Sequence, residues 1–263
     1  MRLFLLPAGA TTGPPRPGDE VVLGADETHH LTRVLRAAPG APVLLADGHG
    51  RFLDGELVAV RGGRAVVAVR VVRDDPWERD GPRLVLACGL VKGPRFTWAL
   101  EKAVELGAHA IRPLRTGRAV VDPGEGRQGR WEAVVRAAAK QAGRSLVPEV
   151  HAADSLAGCL AALPGARFFY GEEEARRESA DGASGGRLTL DAAGLLRGGV
   201  ADRDVLVWVV GPEGGWTDAE RRTLAEAGAA AVRLGPHRLR TETAAAAGLV
   251  LLQAVREARG RRV

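Results

Sequence analysis

Two hydrophobic periodicities divide this chain. Up to about residue 73, apolar residues fall in short alternating or clustered runs: Leu3 to Leu6, Glu20 to Leu23, Pro42 to Leu45, Arg51 to Val60 and Ala65 to Val72. A period near two marks strands with one buried face. Gly40, Asp47-Gly48 and Gly62-Gly63 fall between the runs, where turns belong. One stretch keeps a helical period instead. Asp26 is placed to cap a helix from Glu27 to Arg36, with Leu31, Val34 and Leu35 on one face. The pattern predicts a small β-barrel-like module over residues 1–73.

Residues 74–82 are charged and hold two prolines and a glycine, and they read as a linker. From residue 83 to 263 strands and helices alternate. Leu84 to Val91, Ala110 to Leu114, Phe168 to Tyr170, Val205 to Val210 and Ala230 to Leu234 are apolar enough for buried strands. Helices are predicted at Phe96 to Leu106, stopped by Gly107, and at Trp131 to Ala142, stopped by Gly143. Thr217 and Glu220 form a capping box for a helix that ends before Gly228. The last helix runs from Glu242 to Ala258 with Leu249, Leu252 and Val255 as its apolar stripe. This alternation predicts an α/β domain with a parallel sheet. Residues 175–199, rich in Gly, Ala, Ser and Asp, read as a surface excursion.

Two loops stand out against this framework. Gly211-Pro212-Glu213-Gly214-Gly215 follows the strand Val205 to Val210, and Leu234-Gly235-Pro236 follows the next one. Each leads from a strand toward a helix, the place where open α/β sheets bind ligands. Glycine there lets backbone groups approach a ligand closely. Neither loop is a GxGxxG fingerprint, and no GxxxxGK[ST] phosphate loop occurs in the chain. Two such loops from different strands suit one flat, polar cofactor gripped between them.

Charge adds a partner. The 263 residues carry a formal net charge of +5, and 34 of the 37 basic residues are arginine. A GC-rich coding sequence explains most of that arginine excess, so the net charge itself is what points to nucleic acid. Cys88 and Cys159 stand far apart with no metal-ligand cluster, which predicts buried thiols in a reducing compartment and no metal. The first residues, Met1 to Pro7, hold too short an apolar run for a signal peptide. No stretch approaches the roughly 18 apolar residues that span a membrane. A cytoplasmic protein without membrane contact is expected.

These motifs together resemble the ribosomal small-subunit methyltransferase E family, 16S ribosomal RNA uridine N3-methyltransferases of the SPOUT superfamily. The resemblance runs nearly end to end. It covers His30 to Arg36, Asp47-Gly48, Lys92-Gly93, Glu101 to Ala108, Gln141 to Arg144 with Val147-Pro148, and both glycine-proline loops with Leu239-Arg240-Thr241-Glu242-Thr243-Ala244. It implies a PUA-like RNA-binding barrel followed by a SPOUT parallel sheet with a C-terminal trefoil knot. It implies S-adenosyl-L-methionine as methyl donor, a homodimer, and 16S rRNA of the small ribosomal subunit as partner. The implied cofactor residues are Gly211, Pro212, Glu213, Gly214, Gly215, Leu234, Gly235, Pro236, Leu239, Arg240, Thr241 and Ala244, with Tyr170 and Gly171 as a third wall. In two places the sequence departs from the family pattern: Pro94 precedes Arg95 where an acid is usual, and Thr116-Gly117-Arg118 has glycine in place of an acid.

Uridine N3 carries a proton, so methylation needs a base or a cation for the developing imide anion. Arg118 and Arg240 are the candidate cations. Glu242 is a candidate base, with a favourable position in a helix dipole as its alternative role. Thr241 reads as a helix cap. For RNA the candidates are Arg2, His30, Arg33, Arg36, Lys92 and Arg95. Two other readings stay open. One is a SPOUT ribose 2′-O-methyltransferase on rRNA or tRNA, against which the His30 to Arg36 module argues. The other is a non-catalytic RNA-binding ribosome-assembly protein, against which two intact loops argue.

Overall fold

The computed structural model describes residues 3–7, 9–10, 13–119, 126–172, 189–190, 201 and 203–258. They fall into two compact units, Met1–Asp80 with Arg136–Val147, and Gly81–Val135 with Pro148–Val263.

The front unit is built on a five-stranded mixed sheet. Its strands are β1 (Leu3–Leu5), β2 (Glu20–Val22), β3 (Pro42–Ala46), β4 (Arg51–Arg61) and β5 (Arg64–Asp74), in the order β1-β3-β4-β5-β2. Only β1 and β3 run parallel. The alternation read from the sequence is the alternation of burial: Leu53 and Leu57 of β4, and Val67 and Val69 of β5, point into a core with Phe4, Val21, Leu23 and Leu45. Gly62 and Gly63 turn the β4–β5 hairpin with φ of +57° and +73°.

Two local features differ from the sequence reading. Helix α1 covers only Ala25–His29 and gives way to a π-helical turn, His30–Val34. Its N-cap is Gly24, and Asp26 lies inside the first turn. A π turn adds a residue per turn, closing here through Leu35 N–H to the His30 carbonyl at 3.0 Å. The residues beyond Leu31 therefore rotate off the face an α-helical period assigns them. Leu31 is buried, but Val34 and Leu35 are 56% and 47% exposed. Arg36 follows at φ +53°. Second, the stretch expected as linker contains helix α2 (Pro76–Arg79). Asp75 caps it by accepting from Trp77 N–H at 3.1 Å. Ser145 Oγ donates to Asp75 at 2.7 Å, and Arg144 grips both oxygens of Glu78 at 2.7 Å.

The second unit carries an eight-stranded sheet whose pairings are all parallel. Its strands are β6 (Arg83–Gly89), β7 (Ala110–Arg115), β8 (Glu149–Val150), β9 (Asp154–Ser155), β10 (Arg167–Gly171), β11 (Thr189–Leu190), β12 (Val205–Val210) and β13 (Ala230–Val232). The order is β11-β13-β10-β12-β6-β7-β8, with β9 also on β7. The helices are α3 (Gly93–Glu105), α4 (Arg127–Ala142, whose end from Arg136 belongs to the front unit), α5 (Leu156–Ala161), α6 (Asp218–Glu226) and α7 (Thr241–Ala258). The α/β sheet is as the alternation predicted. The capping box of Thr217 and Glu220 is present, and Gly107, Gly143 and Gly228 adopt positive φ just past their helices. Of the excursion expected over 175–199, only Thr189–Leu190 lies within the described residues.

Strand parity decides which helices each side chain meets. Val207 and Val209 of β12 pack with Leu156, Cys159 and Leu224 from α5 and α6. Trp208 between them points to α7, where its Nε1 donates to the Ala244 carbonyl at 3.0 Å. There α7 passes so close that a Cβ on Gly248 would lie 1.8 Å from Trp208 Cε2. Gly248→Ala will therefore destabilise the protein, although alanine favours helices by about 1 kcal/mol. Overpacking of this kind costs about 3 kcal/mol, so thermal denaturation should show Tm lower by roughly 6–12 °C. An unchanged or higher Tm would refute the close approach.

Candidate active site

Strands β13, β10 and β12 are neighbours, and their ends lie level. Tyr170 pairs with Val209 on one side and Ala231 on the other, and Gly171 pairs with Val232. Three chain segments therefore leave the same sheet edge side by side: Gly171-Glu172, Gly211 to Gly215 and Arg233 to Pro236. With Arg118 and the start of α7 they line a cavity of about 440 Å³.

Small residues let these segments close up. A Cβ on Gly89, at the end of β6, would lie 2.8 Å from Pro212 N. One on Gly211 would lie 3.1 Å from the Trp216 ring, and one on Gly214 would lie 2.9 Å from Arg118 Cβ. Gly215 sits at φ +70° and donates its N–H to the Pro212 carbonyl at 2.9 Å. Side chains from elsewhere hold three more of the loop's carbonyls. Thr241 Oγ1 donates to Gly211 O at 3.0 Å, Arg238 to Glu213 O at 2.6 Å, and Arg118 to Gly214 O at 3.0 Å. A loop fixed in this way is preorganised, so little ordering entropy remains to be lost on binding.

The carboxylates around the site are tied to arginines. Glu172, with only 2% of its side chain exposed, pairs with Arg221 at 3.1 and 3.3 Å, and both line the cavity. Glu213 pairs with Arg95, whose Nε lies 3.9 Å from Glu242. Beneath them lies the buried Cys88. Burial, and then the negative charges of Glu242 and Glu213, push its thiol up to about 12, and burial pushes Cys159 to about 11. Both thiols are protonated near neutral pH and are poor nucleophiles.

The structure gathers most of the expected cofactor residues. Gly171, Gly211, Pro212, Glu213, Gly214, Gly215, Leu234, Gly235, Pro236, Leu239, Thr241 and Ala244 line the cavity, as does Arg118. Three candidates do not. Tyr170 is buried in the core with Val207, Val209 and Leu224, because strand parity turns it into the sheet's α5–α6 face. Arg240 is exposed beside the cavity lining. Glu242 faces Arg95 and Cys88. Thr241 is the first residue of α7, and its hydroxyl ties the helix to Gly211. Gly117, where an acid was expected, donates its N–H to Glu220 at 2.9 Å, and a Cβ there would lie 3.0 Å from Thr217 Cγ2.

Of the RNA candidates, Arg2 lies outside the described residues. Arg33 and Arg36 are exposed in the front unit, and His30 packs beside the Phe4 ring. Arg36, at φ +53°, stands beyond the π turn that carries Arg33. Lys92 is the exposed N-cap of α3, and Arg95 is engaged with Glu213 and Glu242. Sequence reasoning missed Glu172, Arg221, Arg233, His237 and Arg238 on the cavity wall. A signal existed for the last three, since they flank the second loop. None existed for the Glu172–Arg221 pair, 49 residues apart.

Among the described residues no group of three or more His, Cys, Asp or Glu is arranged to hold a metal ion, and no helix is long and apolar enough to cross a membrane.

Known proteins match this arrangement. A family model described as RNA methyltransferase domain matches residues 79–253, and one described as RNA methyltransferase PUA domain matches residues 23–69. A ribosomal RNA small subunit methyltransferase E from Mycobacterium bovis is 35% identical over 240 residues, covering 89% of this chain and 86% of that protein. Its counterpart from Bacillus subtilis is 30% identical, covering 83% and 84%. The crystal structure of a ribosomal RNA small subunit methyltransferase E from Neisseria gonorrhoeae, bound to S-adenosyl methionine, superposes with a TM-score of 0.75 at 28% identity, covering 97% of this chain and 98% of that one.

Proposed function

Because this chain belongs to the ribosomal RNA small subunit methyltransferase E family, we propose that it transfers a methyl group from S-adenosyl-L-methionine to N3 of a uridine in 16S rRNA. The observation that carries this reading is the convergence of both glycine-proline loops on one cavity with Arg118 at its wall. The cavity fits the cofactor. Its 440 Å³ is within the range of small-ligand sites, and its wall combines apolar Val210, Leu234 and Leu239 with the buried carboxylate of Glu172. Residues Gly211 to Gly215, Gly171 and Leu234 to Pro236 would hold it. Bound there, it supplies a methyl group activated on a sulfonium.

The chain's own part is alignment, exclusion of water and charge stabilisation. Arg118 is braced by the Gly214 carbonyl, which takes one of its five N–H groups and leaves its charge in place. That charge stabilises the imide anion left when the N3 proton passes to a solvent water as the base enters. Glu242 stays at the start of α7, where the helix dipole favours a negative charge, and its pairing with Arg95 supports a structural role. The domain reading is a PUA-like RNA-binding module over 1–73, a connecting segment over 74–82 and a SPOUT domain over 83–263. The chain leaves β12, returns as β13 on the far side of β10, and packs α7 back against β12 and β6. A trefoil thread requires a crossing of this kind. A homodimer in the cytoplasm, with the active site near the subunit interface, completes the reading.

Four measurements test it. Isothermal calorimetry should show S-adenosylmethionine binding without added metal, and Gly214→Val, which forces the loop away from Arg118, should weaken binding at least about tenfold. Unchanged affinity would remove that loop from the site. Nucleoside mass spectrometry of 16S rRNA from a deletion strain should lack 3-methyluridine, and a lost ribose methyl instead would establish the 2′-O reading. In the same assay reconstituted in vitro, Arg118→Ala should slow single-turnover methylation by about 10²-fold at saturating RNA and cofactor. Light scattering should give about twice the 27.6 kDa chain mass, and a fully active monomer would contradict the shared interface.

A further inference from the structure

The loop after β13 carries more positive charge than a cofactor pocket requires. Between Glu226 and Glu242 the chain holds four basic side chains, Arg233, His237, Arg238 and Arg240, and no acidic one. All four are exposed. Arg233, His237 and Arg238 line the cavity, and Arg240 stands just beyond it. Arg233 Nε donates to the Gly235 carbonyl at 3.3 Å. Among the described residues no carboxylate lies within 4.0 Å of Arg233 or Arg240. Three other arginines of this unit are paired with carboxylates, Arg95 with Glu213, Arg167 with Asp204 and Arg221 with Glu172, whereas Arg118, across the cavity, is braced on the Gly214 carbonyl.

A carbonyl orients a guanidinium but leaves its charge and its other N–H groups available. The cofactor has a single carboxylate to offer and brings two cationic centres of its own, so it does not account for two guanidinium groups without a carboxylate partner among the described residues, beside His237 and Arg238. An RNA strand can, because it presents a phosphodiester at every nucleotide, and the planar guanidinium fork matches phosphate oxygens. We infer that the second glycine-proline loop is a phosphate-binding rim. Arg233 and Arg240 hold the sugar-phosphate backbone next to the target nucleotide, so that the splayed base enters the cavity. Such contacts fix position and carry no base specificity. This rests on the methyl-transfer reading and deepens it by naming the part of the RNA that the loop takes.

The test uses full-length protein with the paired substitution Arg233→Gln and Arg240→Gln. Filter binding of a 16S rRNA fragment containing the target uridine, across a salt series, should show weaker binding. The log–log salt slope should be shallower by roughly 0.7–0.9 per lost contact. Arg233→Lys with Arg240→Lys should restore most of the slope. In single-turnover methylation the glutamine pair should raise the RNA concentration needed for half-maximal rate more than it lowers the rate at saturation. Calorimetry with S-adenosylhomocysteine, which keeps the carboxylate, and methylthioadenosine, which lacks it, should give affinities within about twofold of wild type. An unaltered salt slope would overturn the rim. So would loss of S-adenosylhomocysteine binding with methylthioadenosine spared, since the arginines would then hold the cofactor's carboxylate. Failure of the wild-type protein to methylate the RNA would sink the methyl-transfer reading instead, and is read separately from the variants.

Discussion

The parallel register of β13, β10 and β12 is the constraint from which the site follows. Pairing Tyr170 with both Val209 and Ala231 brings three strand ends to one level, so the segments that leave them have to share one space. The last helix then fixes that space. Trp208 reaches it by a hydrogen bond to Ala244, Gly248 lets it approach, and Thr241 ties its first turn to Gly211. Hydrophobic packing under the sheet and the shape of the cavity above its edge are thus held by the same helix.

Electrostatics follow from that geometry. The carboxylates near the cavity are spent on arginines, Glu172 on Arg221 and Glu213 on Arg95. Arg118 and Arg233 are braced on glycine carbonyls, one on each loop. A wall built this way keeps a positive potential without burying an unpaired charge, which would be costly. Such a wall attracts a polyanion such as RNA.

Much of this was legible in the sequence, for physical reasons. Strand and helix periods are local, and so are the capping box at Thr217 and the glycines that end helices. Both loops could be placed because glycine and proline stood directly after apolar runs. What escaped depends on contacts between distant residues. Arg95 and Glu213 are 118 positions apart, and Arg144 and Glu78 are 66. The helix at Pro76–Arg79 is too short to show a period, and the groups that fasten it lie on another segment. The resemblance implies Tyr170 on the cavity wall, whereas parity along β10 turns it inward and leaves the wall to Gly171 and Glu172.

The π-helical turn at His30–Val34 shows how chain length itself can set a surface. A π turn is an α-helical turn with one residue too many. Each residue of an α-helix advances about 100°, so a single insertion re-aims everything that follows it. Val34 and Leu35 face outward here without any change in their own chemistry. Insertion and deletion can therefore redesign this edge of the module in one step, while the buried residues that precede it, Thr28 and Leu31, keep their places.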